Sequence, residues 1–179
     1  MAGAFSLLPA TASARGRTDE KRASVLRRVL LADGPDPAYE RELRTYGQFV
    51  GSWDLVSTQH TTGKVITGEA HFGWVMRGRA VQDVWISNDP DDPGFGTTVR
   101  VYRPDQQAWW ISFQESVGII AAQLTGKVVG DEIVENSNWN AGDFPTQWVF
   151  SNIRADGFHW RVQSTDGEVY LSSVATRMC

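Results

Sequence analysis

The chain has 179 residues, 41% hydrophobic and 21% charged, with a formal net charge of −4 at pH 7. That length supports one domain with a substantial core, and the composition is globular rather than disordered. The acidic balance excludes the basic face of a nucleic-acid binder, and no apolar run approaches the ~18 residues that span a bilayer.

Residues 1–17 read as an N-terminal arm. Phe5-Ser6-Leu7-Leu8 and Ala12-Ser13-Ala14 faintly resemble a secretory signal, but no positive charge precedes them and Pro9 interrupts the apolar stretch. The single cysteine, Cys179, excludes an internal disulfide and a cysteine metal site, which fits a cytoplasmic protein.

Residues 18–48 read as helical. Thr18-Asp19-Glu20 is a capped start, Val25, Leu26, Val29 and Leu30 form a stripe, and Asp33-Gly34-Pro35 is a stop. Asp36-Pro37 restarts a helix as cap and first residue, with Tyr39, Leu43 and Tyr46 on its apolar side and Gly47 at its end.

From residue 49 to the end the pattern is that of strands. About ten are expected, at 52–60, 64–76, 80–87, 97–103, 108–116, 119–128, 131–139, 146–154, 158–164 and 168–176. The connections are mostly too short for crossover helices, so the sheet is expected to be antiparallel. The reading is a mainly β protein: an up-and-down barrel of about 8–10 strands preceded by one or two helices, with a sandwich as the alternative.

Phe49-Val50-Gly51-Ser52-Trp53 opens the first strand after a helix. It resembles the Gly-x-Trp start of lipocalins and related calycin barrels. The run from Glu69 to Trp85, together with Phe150–Ile153 and Phe158–Arg161, is similar to an uncharacterised bacterial lipocalin-like family. The resemblance spans residues 49–176. It implies that Trp53 plugs the closed end of a barrel, near the N-terminal helix.

All eight tryptophans follow residue 52. Large rigid rings with one N–H suit the wall of a small-molecule pocket. Alternation puts Phe72, Trp74 and Met76 on one face with Val81, Asp83 and Trp85. If that face is interior, Asp83 is desolvated, and its pKa is expected to rise unless a cation or several donors hold it. Glu69 and His71 lie on the opposite face as an acid–histidine pair. Trp109 and Trp110 are adjacent on one strand and cannot both face inward.

The expected ligand wall is Phe72, Trp74, Met76, Trp85, Asn138, Trp148, Phe150 and Trp160, with Asp83, Tyr170 and Gln114 as the polar participants. An aromatic cavity with sparse polar groups can fold a flexible apolar substrate and polarise one carbonyl. The reading is therefore a cofactor-independent cyclase or isomerase. A non-catalytic carrier of an apolar metabolite is the alternative, and a haem barrel using His71 or His159 a third. No metal site or cofactor is expected, because the three histidines lack zinc spacing. The acid-rich stretch from Asn88 to Gly94 lacks a calcium-loop pattern, and no Gly-x-Ser-x-Gly elbow is present. The expected partners are a small hydrophobic ligand and a second copy of the chain.

Overall fold

Ten barrel strands follow one another along the chain, and their ladder closes on itself. The structure is a computed structural model that describes residues 27, 30–91, 93–116, 121–140 and 146–179, without the side chains of 138–140. A short β1 (Leu31–Ala32) precedes the barrel strands β2 (Gly51–Gln59), β3 (Val65–Val75), β4 (Ala80–Ser87), β5 (Phe95–Arg103) and β6 (Ala108–Glu115). They continue as β7 (Ala121–Val129), β8 (Glu132–Asn140), β9 (Thr146–Ser151), β10 (Gly157–Ser164) and β11 (Val169–Arg177). The order β3-β2-β11-β10-β9-β8-β7-β6-β5-β4 closes through β3–β4, and every pairing is antiparallel. The expected barrel is thus present and the sandwich is not. The largest boundary departure is at β9, which ends at Ser151 because Asn152 turns left-handed at φ 49°.

Strict alternation sorts the side chains. On β6, Trp109, Ile111 and Phe113 are buried while Trp110, Ser112 and Gln114 are exposed. Trp110 lies outside the barrel, beneath the Arg103 guanidinium at 4.0 Å from its ring centre, and donates to Gln106 at 2.8 Å. Trp109 faces inward and meets Tyr46 edge-on at 4.7 Å.

The helical segment differs from expectation in one respect. The region from Thr18 lies outside the described residues except Arg27 and Leu30, whose backbone is helical. That helix ends by Leu30 rather than at Asp33-Gly34-Pro35, because Leu31 and Ala32 pair with Val75 and Trp74. They occupy the side of β3 that β2 leaves open below Phe72. Asp36 then caps as expected, accepting from the Ala38 amide at 3.0 Å, and a 3-10 turn Pro37–Tyr39 leads into α1 (Glu40–Gly47). Among the described residues, no helix is long and apolar enough to cross a membrane.

Leu43 and Tyr46 of α1, with Phe49 just beyond it, are fully buried in the same apolar cluster as the barrel strands. They close one end. Trp53 completes the plug: it is wholly buried, donates from Nε1 to the Phe49 carbonyl at 2.7 Å, and packs edge-on to Phe158 at 4.8 Å. Arg177 covers Trp53, its guanidinium 4.0 Å from the ring centre. Its N–H groups donate to the carbonyls of Ala155, Val50 and Gln48 at 2.7, 3.1 and 3.2 Å. One side chain thus ties the last strand to the helix–strand junction and to the β9–β10 turn. Arg177→Met keeps much of the stem but loses three charge-assisted hydrogen bonds and the ring contact. We expect it to cost about 2 kcal/mol or more, seen as a lower urea midpoint at unchanged slope. An unmoved midpoint would refute that role.

Candidate functional site

The packed end gives way to a hollow one. A cavity of about 770 Å³ runs from the middle of the barrel to the end where β2, β4, β6 and β10 finish. Its wall is chiefly aromatic: Phe72, Trp85, Phe113, Trp148, Phe158 and Trp160 face it. Trp148 meets Trp160 at 5.7 Å and Phe113 at 5.0 Å, both near perpendicular, so the rings brace one another. Gly96 makes room for Trp85, since a Cβ there would stand 2.3 Å from its Nε1. Polar groups are few. Ser57 and Ser173 bond to each other at 2.7 Å on the wall, and Gln59, Glu115, Thr146 and Tyr170 sit toward the mouth.

The floor is charged. Arg100 of β5 is 2% exposed, donates from Nε to Glu135 Oε1 at 2.7 Å and from Nη1 to Asp83 Oδ2, and lines the cavity together with Asp83. All three occupy inward positions of their strands: Arg100 lies between Thr98 and Tyr102, Asp83 between Val81 and Trp85, and Glu135 two residues beyond Ile133. Once buried there they must pair. The Tyr46 ring lies 5.0 Å from the guanidinium carbon and the Phe150 ring 5.4 Å. The Tyr46 hydroxyl feels Glu135 and Arg100, yet neither it nor Glu135 Oε2 makes a hydrogen bond of ordinary geometry. Gly126 leaves space for that hydroxyl, since a Cβ there would stand 2.6 Å from it.

Burial, the largest influence, pushes the Glu135 carboxyl above its ordinary value, and Arg100 pulls it back only in part. Burial followed by the Glu135 charge raises the Tyr46 phenol well above its usual range. Burial also opposes the Arg100 charge, but Glu135 and Asp83 outweigh it and hold the guanidinium protonated.

Of the residues expected at the site, Phe72, Asp83, Trp85, Trp148, Phe150, Trp160 and Tyr170 line the cavity. The cation that the expectation for Asp83 left open is Arg100. Gln114 does not belong: it is exposed on the outer face of β6, because inward parity on that strand falls to Trp109, Ile111 and Phe113. Met76 is also misplaced. It is 50% exposed in the β3–β4 turn with φ 53°. Trp74 shares the inward face but sits below the cavity, its ring against Gly47 of α1, where a Cβ would stand 2.4 Å away. The Asn138 side chain lies outside the described residues. Arg100 and Glu135 were not expected. The available signal was charge at inward parity on strands whose neighbouring inward positions are apolar.

No histidine lines the cavity, so the haem reading loses its axial ligand. His71 lies on the outer face, its Nδ1 2.9 Å from Ser52 Oγ and its Nε2 3.1 Å from Glu69 Oε2. These are the residue types of a nucleophilic relay, but they stand on the convex sheet surface away from the cavity. His159 is exposed beside Asn152 at 3.3 Å. Among the described residues, no three His, Cys, Asp or Glu side chains gather as a metal site would need.

The site and fold together define a closed antiparallel barrel, plugged at one end and hollow at the other. No protein-family model and no curated protein matches the chain. Solved structures do. An S-type phycobiliprotein lyase from Guillardia theta is similar at 15% identity, with a TM-score of 0.50, over 77% of this chain and 96% of that one. A redesigned β-barrel, mFAP0, bound to DFHBI matches at 16% identity and a TM-score of 0.45, over 73% of this chain and 99% of that one. At such identity the lyase likeness is one of fold.

The floor cluster sets a pH dependence. A carboxyl whose folded pKa is raised contributes stability below its unfolded value and loses it as pH rises through the folded value. Glu135 has the raised value. Glu135→Gln keeps an acceptor for Arg100 Nε and removes the ionisation. The variant is therefore expected to gain on the parent as pH rises above about 4.5, levelling off above the raised pKa, in denaturant titrations at several pH values. A parent that gains on the variant with rising pH would contradict this.

Proposed function

We propose that the chain is a lipocalin-like binding barrel that takes up one small hydrophobic molecule. The observation that carries this is the 770 Å³ cavity walled by aromatic rings. It falls within the roughly 300–1,000 Å³ of small-molecule sites, and a few placed polar groups interrupt an apolar lining. The Gly-x-Trp plug at Trp53, buried beneath α1 and covered by Arg177, supports the lipocalin-like reading. The lyase barrel adds support through its architecture alone.

A second reading is cofactor-independent cyclisation or isomerisation of the bound molecule. It is favoured by Asp83 and Tyr170 facing the same space. Against it, the Arg100 guanidinium already engages Asp83 Oδ2, so that oxygen is not free to reach a substrate atom. Binding without transformation is therefore the stronger conclusion.

Nile red titration tests it. The dye is expected to bind saturably near one per chain, with enhanced, blue-shifted emission. Ala122 faces the cavity from β7, so Ala122→Phe should fill part of it and weaken dye binding about tenfold or more. Dye binding that is unsaturable, or equal in a folded Ala122→Phe variant, would sink the proposal. A bound molecule recovered unchanged from the native protein favours the binding reading; where it is transformed, unchanged turnover in Asp83→Asn removes Asp83 from the chemistry.

A further inference from the structure

We infer that the cavity selects an uncharged apolar molecule carrying one hydroxyl or carbonyl group, seated on Arg100 and Asp83, and discriminates against the carboxylate of the same shape. This rests on the binding reading above and names its ligand class.

Two observations carry it. The first is the placement of polarity. Arg100, Asp83 and Thr98 form a polar floor beneath aromatic walls, so a polar head is satisfied at the bottom and an apolar body fills the space above. Arg100 commits Nε to Glu135 and Nη1 to Asp83 Oδ2, and the described residues give Nη2 no acceptor and Asp83 Oδ1 no donor. A ligand hydroxyl can accept from Nη2 and donate to Oδ1, while a carbonyl can accept from Nη2.

The second is the charge count. An arginine at the base of an apolar pocket ordinarily invites an acid. Here two carboxylates already share the one guanidinium. A third would meet a cation already neutralised and a carboxylate beside it, at a level where both side chains are almost wholly buried. Arg100 thus acts as a hydrogen-bond donor rather than an anion receptor.

A matched set of probes tests this: retinol, retinal and retinoic acid share a polyene body and differ in the head. By isothermal titration calorimetry at pH 7.5, retinol and retinal are expected to bind at least tenfold more tightly than retinoate. Asp83→Asn removes one negative charge from the floor and should narrow that ratio at least threefold. Glu135→Gln does the same from below, and serves if the first variant melts too low. Retinoate binding as tightly as retinol overturns the inference, as does a ratio unmoved in every folded variant. Uptake of Nile red without either neutral retinoid also overturns it while leaving the binding reading standing. Failure of Nile red and all three retinoids overturns both.

Discussion

A guanidinium buried to 2% exposure inside a barrel has lost most of its hydration, so the walls must answer its charge. Arg100 is answered by Asp83 on the adjacent strand and by Glu135 on β8, three strands away around the wall. That span ties β4, β5 and β8 together across the interior. Buried ion clusters add little net stability, because desolvation offsets most of the attraction. What this one does is forbid apolar filling at its own level. It marks the height at which close packing stops and the cavity begins.

Below that level the barrel is a conventional core. The helix–strand junction supplies Leu43, Tyr46, Phe49 and Trp53, all essentially without exposure. The Tyr46, Phe49 and Trp53 rings pack against Phe72, Phe150 and Phe158 at 4.8–6.1 Å, and Arg177 fastens the arrangement from outside. Above it no helix covers the interior among the described residues, and the strand ends carry Gln59, Ser87, Glu115 and Thr146 around the space. Among the described residues, a packed end and a hollow end thus divide one barrel at the level of Arg100.

Alternation with period two was readable along nearly every strand, because each strand here has one face inside and one outside. This is why Trp85, Trp148 and Trp160 were recognisable as inward residues beside Asp83. Parity reports the face but not the height. Trp74 has the same parity as Phe72, yet it lies under α1 rather than in the cavity. Met76 has that parity too, but the chain has already left the strand and turned. Gln114 alternates with Trp109, Ile111 and Phe113, which claim the inward face by their apolar area, and both faces of that strand carry a tryptophan, so parity alone does not choose between them. Arg100 and Glu135 escaped notice because they lie 35 positions apart, and only closure brings them together.

Trp148 and Trp160 stand 5.7 Å apart in the cavity wall. Both rings border the enclosed space, so whatever enters it displaces solvent from two of the chain's eight indoles at once. The wall that shapes the cavity is thereby also a built-in reporter of its occupancy.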